Sequence, residues 1–153
     1  MMAGRTRVFV SPATRWEVDD YLSYLLARAS HVVATEIHRD VRAAGLTVLE
    51  WRVLATLSDG RARNVGELAS IALAQQSTMT KLLGRMEADG RIARSDGEAD
   101  RRQSVVRITR GGRAALGTLL ARSKLHERTA VARLSAREAA SLKSALKKLI
   151  DSA

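Results

Sequence analysis

The sequence predicts a mainly α-helical fold with one small β-hairpin and long helices at both ends, and three observations predict it. First, Thr14, Thr47, Asn64 and Ser135 each stand three residues before a glutamate (Glu17, Glu50, Glu67, Glu138). In that spacing each side chain satisfies an orphan amide of a helix N-terminus, so four helix starts follow. Second, the stretch after the third start, Gln75 to Ala88, has one apolar stripe and one polar face. Third, a highly charged segment joins two short β-branched runs ahead of Thr109. Two helices, a polar-faced helix and a charged hairpin in this order make a winged helix-turn-helix, with N- and C-terminal helices left over for dimerisation.

Taken along the chain, the first helix runs from about Arg15 to Ala44, with Val18, Leu22, Leu25, Ala29, Val32, Val33, Ile37 and Val41 at helical spacing. At about 1.5 Å per residue it spans about 45 Å, more than a small domain needs, so part of it is expected to pack on another subunit. Thr47–Ser58 buries Val48, Trp51, Val53, Leu54 and Leu57, and Asn64 to about Ile71 is the next helix. Gly45, Gly60 and Gly90 stand where helices should stop, because glycine accepts the left-handed conformation after a last turn. Ile92-Ala93-Arg94 and Ser104-Val105-Val106-Arg107-Ile108 read as the strands of the wing. After Gly111-Gly112 the helical pattern returns in Ala115, Leu116, Leu119 and Leu120, and a final helix carries Ala139, Leu142, Leu146, Leu149 and Ile150. The expected organisation is a single domain over 1–153, with dimerisation helices in 15–44 and 110–152 around a DNA-binding lobe at 46–109.

Composition narrows the function. The chain has 153 residues, 46% apolar and 27% charged with one proline, a foldable composition rather than a disordered one. Its net charge of +10 suits a polyanionic partner. Residues 1–60 carry seven charges of each sign, whereas 61–113 carry eleven basic against six acidic and 114–153 eight against three, so the positive field belongs to the last two-thirds. A basic surface kept for solubility would have the same balance, so charge alone does not decide. The five aromatics (Phe9, Trp16, Tyr21, Tyr24, Trp51) all precede the basic part, which therefore offers no ring platform for single-stranded bases and favours a duplex. Cysteine is absent, which excludes disulfides, thiolate metal sites and thiol sensing. Val8-Phe9-Val10 is too short for a signal-peptide core, and no apolar run approaches the roughly 20 residues that cross a bilayer, so a cytoplasmic protein without a membrane partner is expected. Met1 to Ser11 reads equally as a mobile basic arm or as an ordered dimer extension, since Arg5 and Arg7 permit either.

The candidate reading surface is the outer face of the Gln75–Ala88 helix. Met79, Leu82, Leu83 and Met86 form its apolar stripe, and a turn of 100° per residue puts Ser77, Thr80, Lys81, Gly84 and Arg85 opposite. Gln75 and Gln76 sit at its N-terminus, where free amides and the helix dipole favour a phosphate, and glutamine and arginine are suited to adenine and guanine edges. An ordinary amphipathic helix also has a polar outside, so the hairpin matters. Its loop, Ser95 to Gln103, is too polar for a core. There Arg101 or Arg102 is placed to enter a minor groove, with Asp100 orienting one guanidinium through a charge-assisted bond. Arg94 and Gln103, at the two ends of this segment, complete the candidate DNA-binding set.

With these segments on the page, the chain resembles the multiple antibiotic resistance regulator (MarR) family of bacterial transcription factors. The resemblance runs from Tyr21-Leu22-Ser23-Tyr24-Leu25-Leu26 through Leu46 to Leu54 and on to the last helix. It is most specific in Ser77-Thr78-Met79-Thr80-Lys81-Leu82-Leu83-Gly84-Arg85-Met86-Glu87 and in Asp100-Arg101-Arg102. It implies a homodimeric regulator, more often a repressor than an activator, on a palindromic operator of double-stranded DNA. It implies also that Ser77, Thr78, Thr80, Lys81 and Arg85 meet the major groove or its flanking phosphates, and that Arg101 or Arg102 serves the wing. Many members of the family are released from DNA by small phenolic or other aromatic effectors, and the resemblance places such a site near Tyr24, Arg28, His31, Trp51 and Arg52.

Other functions find less support. His31 and His38 lie two helical turns apart, about 10 Å, too far for joint chelation, and with His126 they form no dense cluster, so no metal or cofactor is expected. There is no glycine-rich phosphate loop, zinc-protease helix, serine elbow or cysteine nucleophile, which argues against an enzyme. Arg110-Gly111-Gly112 is accounted for by a turn or a helix cap. The alternative is a sequence-indifferent architectural DNA-binding protein that uses the same charge on phosphates alone.

Overall fold

The computed structural model of the chain describes residues 20–96 and 104–152. The elements are α1 (Leu22–Ala43), α2 (Val48–Leu57), β1 (Arg63–Asn64), α3 (Val65–Ala72), α4 (Gln76–Ala88), β2 (Ile92–Asp96), β3 (Ser104–Ile108), α5 (Arg110–Leu116), α6 (Leu119–Val131) and α7 (Ala136–Asp151). The Thr14–Glu17 cap, the Met1–Ser11 segment, and Asp100, Arg101, Arg102 and Gln103 lie outside the described residues.

Local chemistry sets most boundaries. All three described capping boxes form; at Thr47 the hydroxyl accepts the Glu50 N–H (3.2 Å) while the Glu50 carboxylate accepts the Thr47 N–H (2.7 Å). Glu50 also accepts from Arg91 at 3.0 Å, which ties the start of α2 to the approach of β2. Gly45, Gly60 and Gly90 have φ of 74°, 81° and 68°, the left-handed values their places after α2's predecessor, α2 and α4 require.

Three expectations are corrected. The hairpin belongs to a three-stranded antiparallel sheet of order β1-β3-β2, because Arg63 and Asn64 pair with Val106 and Val105. An N-cap residue is extended (Asn64 has φ −80° and ψ 168°), so the cap of α3 also serves as a strand. The strand β2 continues two residues beyond Arg94, to Asp96, in register with Ser104. The helical pattern after Gly111-Gly112 is broken at Gly117 (φ 44°) into α5 and α6. Gly112 itself is a close-approach residue: a Cβ there would run into the carbonyl oxygen of Arg91 and come within 2.8 Å of Ile108. Thr109 caps α5 by accepting the Gly112 N–H at 3.0 Å.

The core sits in the middle of the chain. Val53, Leu54 and Leu57 of α2, Leu68 of α3, Met79, Leu83 and Met86 of α4, and Ile92 and Val106 of the sheet are fully or almost fully buried. Ile37 and Val41 of α1, Leu46, Trp51, Ala69, Ala72, Leu82, and Leu116 and Leu119 of α5 and α6 complete it. Among the described residues the rest of α1's apolar stripe is left uncovered: Leu22, Leu25, Val32 and Val33 are exposed, and α7 buries no residue. Among the described residues, no helix is long and apolar enough to cross a membrane.

Candidate nucleic-acid interface

The helix α4 is anchored by Met79, Leu82, Leu83 and Met86, and this fixes which side it turns outward. On that side Thr78, Lys81, Gly84, Arg85 and Ala88 line an open depression of about 650 Å³. Lys81 and Arg85 are exposed there and have no ion-pair partner among the described residues. Gln75 caps the helix in an extended conformation without its side chain bonding back, so the amides of the first turn remain open. Gln76 faces a second depression of about 330 Å³ with Asn64, Val65, Gly66 and Ser104, which brings the start of α4, the start of α3 and the base of the wing together. Ser77 is exposed beside them.

Two predicted residues have different surroundings from the rest. The Thr80 hydroxyl donates to the Gln76 carbonyl at 2.9 Å. Arg94 is turned inward: its guanidinium lies 3.3 Å from the Glu87 carboxylate and 3.5 Å from the Thr80 carbonyl, both on α4. Strand alternation explains this, because Arg94 pairs with buried Val106 and so shares the side of the sheet that faces the helix. Arg94 therefore fixes the wing base to α4, a role that its position in the charged segment did not reveal.

The five residues expected around an effector have the following surroundings within one chain. Arg28 donates to the Tyr24 hydroxyl at 3.0 Å and stacks 5.8 Å from its ring centre. Trp51 is 8% exposed and belongs to the core. Arg52 donates to the Ala72 carbonyl at 3.1 Å. His31 lines a groove of about 380 Å³ along α1 with Ala27, Ser30, Ala34, Thr35, His38 and Arg42. His38, missed as a candidate here, has its pKa lowered by burial and by the nearby Arg52 and Arg42 cations. His126 bonds Asp40 at 2.9 Å across α6 and α1, and this bond, with Arg122, holds the Asp40 carboxyl below the usual range. Among the described residues no group of three or more His, Asp or Glu could hold a metal ion.

Comparison with known proteins bears on this geometry. The model of the MarR family matches residues 46–104. The transcriptional activatory protein BadR of Rhodopseudomonas palustris is 34% identical over 73% of this chain and 67% of its own length. The chain belongs to the MarR family. A solved MarR family transcriptional regulator from Silicibacter pomeroyi is 40% identical, covers 88% of this chain with 96% of its own, and superposes with a TM-score of 0.76. The Mycobacterium tuberculosis repressor Rv2887 is 30% identical over 86% of this chain and 94% of its own. As a MarR family member the chain is a DNA-binding transcriptional regulator with a winged helix-turn-helix, and nothing in these relatives supports an architectural role.

Proposed function

We propose that this chain is a homodimeric, site-specific repressor that places one α4 in the major groove at each half of a palindromic operator. The observation that carries this is the open stripe of Thr78, Lys81 and Arg85, its two cations without an ion-pair partner among the described residues, on the side of α4 opposite the core. Gln75, Gln76 and Ser77 approach the flanking phosphates, and Arg101 or Arg102, oriented by Asp100, reaches the adjacent minor groove. In this organisation 46–109 is the reading lobe, and 15–44 with 110–152 form the dimer. Support for the dimer comes from the apolar residues left in solvent: Leu22, Leu25, Val32 and Val33 on α1, Leu125 on α6, and Leu142, Leu149 and Ile150 on α7. Burying what remains exposed of each is favourable, at about 25 cal/mol per Å² of apolar surface, and a second copy offers the matching surfaces.

The regulator acts in the cytoplasm by occupying DNA rather than by catalysis. Its effector is a small aromatic or phenolic anion, for which the α1 groove lined by His31, His38 and Arg42 offers the Arg42 cation and no carboxylate. The effector acts by favouring a dimer whose two α4 helices are wrongly spaced for the operator. Binding to the duplex upstream of the protein's own gene, against a scrambled duplex over a salt series, tests the reading. A preference of about 10³-fold or more supports it, and equal affinity for both duplexes contradicts it.

A further inference from the structure

The turn between α3 and α4 has an unusual build. Leu73 adopts φ 58° and ψ 47°, the left-handed region, and is the one non-glycine residue to do so among the described residues. Its side chain is 80% exposed, so packing does not hold it there. The turn closes with Ala74 N–H bonding Ala69 O (2.9 Å) and Leu73 N–H bonding Ser70 O (3.2 Å), the two-bond pattern in which a glycine is usual. Those bonds leave the carbonyl of buried Ala72 without a backbone partner from the turn. The guanidinium of Arg52, twenty residues earlier on α2, donates to it at 3.1 Å. Only Ala74 and Gln75 separate this turn from the first residue of α4, so its angle sets the direction in which the reading helix leaves the lobe.

We infer that Arg52 is a positioning residue for α4: its charge-assisted bond to the Ala72 carbonyl clamps a strained left-handed turn at Leu73 and so aims the DNA-reading face. This rests on the reading of α4 as the helix that enters DNA. Arg52 touches no nucleotide in this account. Its loss lets the Leu73 turn relax toward right-handed backbone, which costs base contacts more than phosphate contacts. Glycine at 73 removes the strain, so the turn no longer needs the clamp.

The test compares wild type, Arg52→Ala, Leu73→Gly and the double variant on the duplex upstream of the protein's own gene and on a scrambled duplex, across salt. Arg52→Ala is expected to lower affinity for the upstream duplex by about tenfold, the scale of one charge-assisted bond, with the salt slope unchanged. The double variant is expected to recover most of that loss. Arg52→Lys, which keeps the charge without the planar fork, should show a smaller loss with the same recovery, and it serves if the alanine variant does not fold. A salt slope reduced by about one, with equal loss on both duplexes, would make Arg52 a phosphate contact and overturn the inference. So would a double variant no better than Arg52→Ala. Should wild type itself fail to distinguish the duplexes, the site-specific reading falls; should wild type distinguish them and Arg52→Ala lose nothing, the clamp alone falls.

Discussion

The reading lobe and the terminal helices follow opposite rules within one chain. In the lobe most apolar residues are covered within the chain: Met79, Leu83 and Met86 of α4 share one buried cluster with Leu54, Leu57 and Leu68, while Ile71 and Leu73 stand in solvent. In the terminal helices the stripes are just as regular, yet α7 buries nothing and Ile150 is 72% exposed. Helical periodicity thus guarantees an apolar face but not the molecule that covers it. The lobe buries its core within one copy of the chain, whereas the ends leave apolar faces that the proposed dimer would cover.

Mutations on the two sides of this divide should separate folding from assembly. Leu83→Ala, in a side chain with no exposure, is expected to cost roughly 2–5 kcal/mol in chemical denaturation of the lobe. Leu142→Asp with Leu149→Asp, on the exposed face of α7, should leave the unfolding of the lobe nearly unchanged. The same pair should raise the dimer dissociation constant by about 100-fold or more in sedimentation equilibrium, some 2.7 kcal/mol. If it destabilised the lobe as much as Leu83→Ala, α7 would belong to the core of a monomer.

Smaller effects refine each side. Arg85→Ala should weaken operator binding by about 1–3 kcal/mol and relax preference at one base pair if it meets a base, whereas a uniform loss over all sequences would assign it to phosphate. At the junction of α1 and α6, His126 and Arg122 hold the Asp40 carboxyl below its ordinary range. A depressed carboxyl contributes stability that is present above its unfolded pKa, about 4, and is lost as pH falls through the folded value. Asp40→Asn should therefore flatten the acid limb of α1–α6 protection in hydrogen exchange; an unaltered limb would show that the bond carries no part of it.

What the sequence disclosed depended on how far apart the interacting groups lie. The capping boxes at Thr47, Asn64 and Ser135 involve partners three residues away, so their residue types and spacing suffice. The buried stripe of α4 was legible for the same reason, and it identified Lys81 and Arg85 as the outward cations. Arg52 and the Ala72 carbonyl are twenty residues apart, and Arg94 meets Thr80 across fourteen, so neither partner marks the other in the chain. The strand β1 was hidden because its two residues also cap a helix, and extended backbone satisfies both uses. Leu73 falls between the two predicted helices, but its left-handed backbone had no signal, since glycine rather than leucine marks such a turn.

The measurement that goes most directly to the central claim is a hydroxyl-radical footprint of the protein on its upstream duplex, with the number of chains per duplex determined in parallel. Two chains protecting two related patches whose centres lie about one helical turn, 10 to 10.5 base pairs, or a multiple of it apart would place one complete lobe at each half-site of a shared dimer. A single protected patch occupied by one chain would contradict the account, because the exposed faces of α1 and α7 would then need another partner.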